Sequence, residues 1–135
     1  MNRTTLREAV KFHGHLGPWL VLGLLMGPYA LKRIRAGKYF KLRVKVWGAS
    51  EKPKSCLIDG LQLSTGATYG KGNIEKIRGA RVRVLFHNLE NNKKAVISLN
   101  EELTGALEDL KSHRDSERFA MKLSKIKPSM TFIDL

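Results

Sequence analysis

The chain has 135 residues, enough for one domain with a substantial core but not for two independent ones. Its 25 Lys and Arg against 12 Asp and Glu give a formal charge of +13, a field that draws acidic partners without saying which. A single cysteine excludes an intramolecular disulfide, and no stretch is long and apolar enough for a membrane span or a secretory leader, so the cytoplasm is the expected compartment.

Thr4 or Thr5 is expected to cap a first helix running through Lys11, with Glu8 in an early turn. Lys11-Phe12-His13-Gly14-His15-Leu16-Gly17-Pro18-Trp19 follows, and Gly17-Pro18 reads as the start of a second helix. His13 and His15 then fall in the feeding loop, where an i, i+2 pair can point to one side and bind a divalent cation. The residues alone leave a second reading open, in which both imidazoles bond backbone groups and only hold the start of the helix. The second helix should run from Pro18 to about Ala36 and end at Gly37, with a kink near Gly27 imposed by Pro28. Apolar residues surround nearly all of its first half, which predicts packing on several sides, one of them a subunit interface.

Lys41 to Trp47 alternates as a half-buried strand, Leu42, Val44 and Val46 inward and Lys41, Arg43 and Lys45 outward. Arg81 to His87 repeats the pattern, and Lys94 to Leu99 can pair with it across Asn88 to Lys93. Between them, apolar spacings of three and four predict a short helix over Cys56 to Thr65, ended by Gly66 and followed by the loop Ala67 to Asn73. A thiol at a helix start should have a lowered pKa, although a lone cysteine is more often a small buried hydrophobe. Asn100 can cap a helix that turns Leu103, Ala106, Leu107 and Leu110 to one side, and a last helix should cover Ser116 to Lys125. The tail Ser129 to Leu135 can add an edge strand.

Gly66-Ala67-Thr68-Tyr69-Gly70-Lys71-Gly72 is not a P-loop, because only three residues separate Gly66 from Gly70 and Lys71 is followed by Gly72. Its glycines suit positive φ, and its N–H groups with Lys71 could form a nest for a carboxylate or phosphate.

HGHLGPWLVLG, followed some way on by CLIDGLQLSTGATYGKGN, resembles the FmdE family of formylmethanofuran dehydrogenase proteins, whose pattern runs roughly F-H-G-H-x-C-P and then C-x-D-x-x-Q-x-x-T-G-C-T-x-G-K-G-N. The resemblance implies one α+β domain over 1–135, an antiparallel sheet packed with helices, with the motif-bearing core at about 6–99 and a C-terminal helical segment at 100–135. It also implies a homodimer and a metal site, which on this chain falls on His13, His15 and Cys56. The matching surrounding positions are Asp59, Gln62, Thr65, Gly66, Thr68, Gly70, Lys71 and Asn73.

Two departures stand out: Gly17 replaces the cysteine before the proline, and Ala67 replaces the cysteine of T-G-C-T. The cysteine-rich zinc-finger tail of some members is absent too. Two imidazoles and one thiolate still make a complete open site for a divalent ion, zinc above all. Asp59 is then a catalytic acid/base group or a carboxylate orienting a ligand histidine, while Thr65, Gly66, Thr68, Gly70 and Lys71 bind an anionic small molecule. The family name implies association with formylmethanofuran dehydrogenase subunits and one-carbon metabolism, either as a metal-dependent enzyme or as an accessory subunit of an oxidoreductase. Two other readings stand beside it: a non-catalytic scaffold with a degenerate site, and a basic nucleic-acid-binding module. The last is weakened because the outward strand positions offer chiefly Trp47 for stacking.

Overall fold

Asn2, not a threonine, starts the first helix in the computed structural model, which describes residues 1–134. Its side-chain oxygen accepts from the Thr5 N–H at 2.7 Å, and α1 runs Arg3–His13. Gly14 ends it with φ 107°, a left-handed conformation that glycine adopts without a Cβ penalty, and its N–H donates to the Val10 carbonyl. His13 therefore belongs to the last turn of α1 and not to the following loop. Only His15 lies there.

α2 spans Pro18–Ile34 with proline in its first turn, and passes through Pro28 as one helix. It stops short of Gly37 because Arg35 takes the left-handed cap, its N–H reaching the Leu31 and Lys32 carbonyls. Every residue from Pro18 to Gly27 is buried within the single chain, so the apolar girth of this helix does not require a second copy of the chain.

The remaining elements are β1 Leu42–Trp47, α3 Cys56–Thr65, β2 Ile74–Ile77, β3 Arg83–Asn88, β4 Lys94–Leu99, α4 Glu101–Glu108, α5 His113–Leu123 and β5 Phe132–Asp134. α5 begins before Ser116 because Ser112 caps it, its hydroxyl accepting from the Asp115 N–H. Leu110 lies beyond the end of α4, whose buried residues are Leu103 and Leu107. The expected edge strand forms as β5; Leu135 lies outside the described residues.

The five strands are ordered β2-β1-β3-β4-β5. Neighbours pair antiparallel except β1 and β2, which are parallel, with Val44 opposite Ile74. The sheet is thus mixed rather than purely antiparallel. Its parallel edge follows from the β1–α3–β2 crossover, since a helical return brings the chain back in the same direction.

One face of the sheet carries Leu42, Val44, Val46, Val84, Phe86, Ile97 and Leu99 into the core beneath α2, and the helices pack on that side. The opposite face presents Arg43, Lys45 and Arg83. There the Arg83 guanidinium lies 5.0 Å over the Trp47 ring, occupying the stacking position that a base would need.

α2 and α3 form the closest helix pair in the fold, crossing where Gly23 faces Gly60. Ser64 of α3 fastens the crossing by donating to the Gly23 carbonyl at 2.9 Å. The crossing sets the start of α3, Cys56 to Asp59, beside the start of α2. α1 completes that corner through Ala9, which packs with Leu20 and Leu24. Among the described residues, no helix is long and apolar enough to cross a membrane.

Candidate functional site

The corner joins three helix ends. His13 comes from the last turn of α1, Cys56 and Asp59 from the first turn of α3, and His15 from the loop leading into α2. The His13 Nδ1 lies 2.5 Å from Asp59 Oδ2. An ionised carboxylate only accepts, so Nδ1 carries the hydrogen and the neutral ring keeps its lone pair on Nε2. That Nε2 is buried and has no hydrogen-bond partner among the described residues. The side chain as a whole is 10% exposed. A buried ring nitrogen without a partner costs free energy, and the Asp59 bond fixes which nitrogen bears that cost.

Asp59 is itself held. Its Oδ1 accepts from Gln62 Nε2 at 3.5 Å, and Gln62 Oε1 accepts from the Tyr69 N–H at 3.1 Å. Gln62 therefore ties the imidazole–carboxylate pair to the glycine-rich loop. The sequence pattern includes this residue but gives no hint of that role.

His15 is exposed, its ring centroid 4.7 Å from that of His13 with the planes inclined at 59°. Cys56 is half-buried, and burial first, then the Asp59 carboxylate, push its thiol pKa up; Lys52 pulls the other way. The helix start does not lower it as expected, because desolvation of the thiolate outweighs the few exposed N–H groups.

A cavity of about 290 Å³ is lined by His13, Cys56, Asp59, Gln62 and Tyr69, with Lys52 and Lys76 at its margin. Among the described residues, no three His, Cys, Asp or Glu side chains converge closely enough to hold a metal ion. The donor chemistry nonetheless suits one at His13, whose carboxylate-bonded Nδ1 and free Nε2 are the arrangement that orients a ligand histidine.

The glycine-rich loop is spent on itself. Thr65 Oγ1 donates to the Leu61 carbonyl at 2.6 Å and accepts from the Ala67 N–H. Gly66, at φ 76°, closes α3 against the Tyr39 ring. The N–H groups of Thr68, Lys71 and Gly72 bond within the loop, to Asn73, Thr68 and Tyr69. Lys71 Nζ lies over the Tyr39 and Phe40 rings at 5.7 and 5.6 Å. Of this loop only Tyr69 lines the His13 cavity; Thr65, Gly66, Thr68, Gly70 and Lys71 do not, because their donors are already used or turned elsewhere.

The two positions without the family cysteines are not equivalent. Ala67 is fully buried in the main core. Gly17 adjoins His15, and a Cβ there would sit 3.1 Å from the His15 Cε1.

A family model described as FmdE, molybdenum formylmethanofuran dehydrogenase operon, matches residues 12–130. Among solved structures, the chain is similar to an FmdE-like protein of the tungsten formylmethanofuran dehydrogenase type from Syntrophus aciditrophicus. The TM-score is 0.67 at 20% identity, over 96% of this chain and 70% of that one. No curated protein matches the sequence significantly.

Proposed function

The chain belongs to the FmdE family, and from that premise we propose that it is a metal-binding protein of formylmethanofuran dehydrogenase-related one-carbon metabolism, centred on His13. The carrying observation is the buried, partnerless Nε2 of His13 on a ring whose Nδ1 is held by Asp59. A divalent ion such as zinc would take Nε2, with His15 and Cys56 as the further donors. When bound, such an ion supplies Lewis-acid polarisation to an anionic or carbonyl ligand. Asp59 positions His13 and keeps its proton on Nδ1, while Lys52 and Lys76 favour an anion at the cavity mouth. The partners that fit the family are formylmethanofuran dehydrogenase-type subunits, with the cytoplasm as the site of action.

The test is cobalt and zinc titration of untagged, chelator-treated protein. One equivalent bound, with a thiolate-to-cobalt absorption band lost in Cys56→Ala and all binding lost in His13→Ala, supports the reading. No binding of either metal by the folded parent overturns it.

A second reading, an accessory subunit without a metal of its own, is favoured by the lack of a converged three-ligand group among the described residues. It predicts no metal uptake but unimpaired folding in that experiment.

A further inference from the structure

A second cavity, of about 240 Å³, adjoins the first and shares Cys56 and Lys52 with it. Its walls are apolar. Leu16, Pro18 and Trp19 come from the start of α2, and Leu107 and Leu110 from the end of α4. Trp19, only 6% exposed, adds an aromatic surface fixed by the core. No carboxylate lines this cavity, and its one permanent charge is Lys52, which makes no ion pair among the described residues. His15, His113 and Ser116 add hydrogen-bonding groups.

We infer that this cavity binds a small aryl monocarboxylate, its ring among Trp19, Leu107 and Leu110 and its carboxylate on Lys52. Three properties decide the class. First, an apolar cavity of about 150 Å³ accommodates benzene, so 240 Å³ has room for one ring and a carboxylate but not for a nucleotide. Second, a dianion such as phosphate would lose its hydration against apolar walls with a single lysine to compensate. Third, a neutral aromatic would leave the desolvated ammonium of Lys52 without a partner. Because Cys56 lines both cavities, a carboxylate held here would lie next to the proposed metal position. The inference rests on this cavity's own walls and charge, and stands or fails separately from metal binding.

The experiment uses chelator-treated protein carrying Trp47→Phe, so that Trp19 is the sole indole, titrated with benzoate, benzamide and inorganic phosphate. Trp19 fluorescence and amide NMR shifts give the readout. Saturable benzoate binding is expected, with benzamide at least about tenfold weaker, the worth of one charge-assisted hydrogen bond. Lys52→Met should weaken benzoate by a similar factor and leave benzamide unchanged, whereas Leu110→Trp, which fills the cavity, should abolish both with the circular dichroism unaltered. Equal affinity for benzoate and benzamide, benzoate binding indifferent to Lys52→Met, displacement by phosphate at matching concentration, or no saturable response to benzoate at millimolar levels would each overturn the assignment. Zinc titration of the same protein reports on the metal reading alone.

Discussion

Gly23 of α2 and Gly60 of α3 stand back to back: a Cβ on either would lie 2.8 Å from the other's Cα. The atoms met there are main chain, which cannot rotate away. Gly23→Ala or Gly60→Ala should therefore force the helices apart and destabilise the fold by at least about 3 kcal/mol, the upper range for overpacking. Urea denaturation measures it. Gly105→Ala is the control. It is exposed within α4 with nothing near its Cβ position, and should stabilise by about 0.5–1 kcal/mol through reduced chain entropy.

Asp59→Ala removes the group that holds the His13 proton on Nδ1. Zinc affinity should fall by about 10–100-fold, the usual effect of removing a carboxylate behind a ligand histidine, while His13→Ala abolishes binding. Competition against a chromogenic zinc chelator measures both. An Asp59→Ala variant with parental affinity would show that the carboxylate does not orient a ligand.

Burial pushes the Cys56 thiol up, the neighbouring Asp59 adds to the shift, and Lys52 opposes it. The pH profile of iodoacetamide alkylation should accordingly have its midpoint above the ordinary thiol value of about 8.5. Lys52→Met should move it further up and Asp59→Asn down. A folded-state pKa raised above the unfolded value adds stability below the unfolded pKa, and that contribution is lost as pH rises through the folded one. Cys56→Ala should flatten this alkaline part of the stability profile. A thiol titrating below the ordinary value in the parent would contradict the burial argument.

Gly17→Cys returns a thiol to the position beside His15. With its φ of −136° in the extended region, Gly17 accepts a side chain once the His15 ring gives by a few tenths of an ångström. Zinc affinity should rise. Ala67→Cys should instead leave metal affinity unchanged and cost about 1–3 kcal/mol, since it adds volume to a filled core. Parallel titration and denaturation of the two variants separate these outcomes.

The local features of the fold are readable from sequence, and the departures come from contacts between distant segments. The Cys56–Thr65 helix and its Gly66 cap follow from spacing and one glycine, and Lys94–Leu99 from alternation. β2 escapes such reading because Ile74-Glu75-Lys76-Ile77 is short and carries two exposed charges at a sheet edge, with too few apolar residues to register. His13 lies in a helix rather than a loop because α1 extends to Gly14, and that extension depends on Gly14 taking the left-handed cap. The imidazole–carboxylate pair joins residues 46 apart, so no local pattern encodes it. The Trp19 cavity likewise needs α4 folded back over the start of α2.

α1 buries only Ala9 and is otherwise joined to the body through the satellite packing around Leu6 and through His13. An element so lightly anchored opens by local fluctuation well before the domain unfolds. Because His13 is both the terminus of this helix and the proposed ligand, occupancy of the site and docking of α1 are thermodynamically linked. Slowed amide exchange in residues 3–13 would then act as a gauge of binding, legible without knowledge of the reaction.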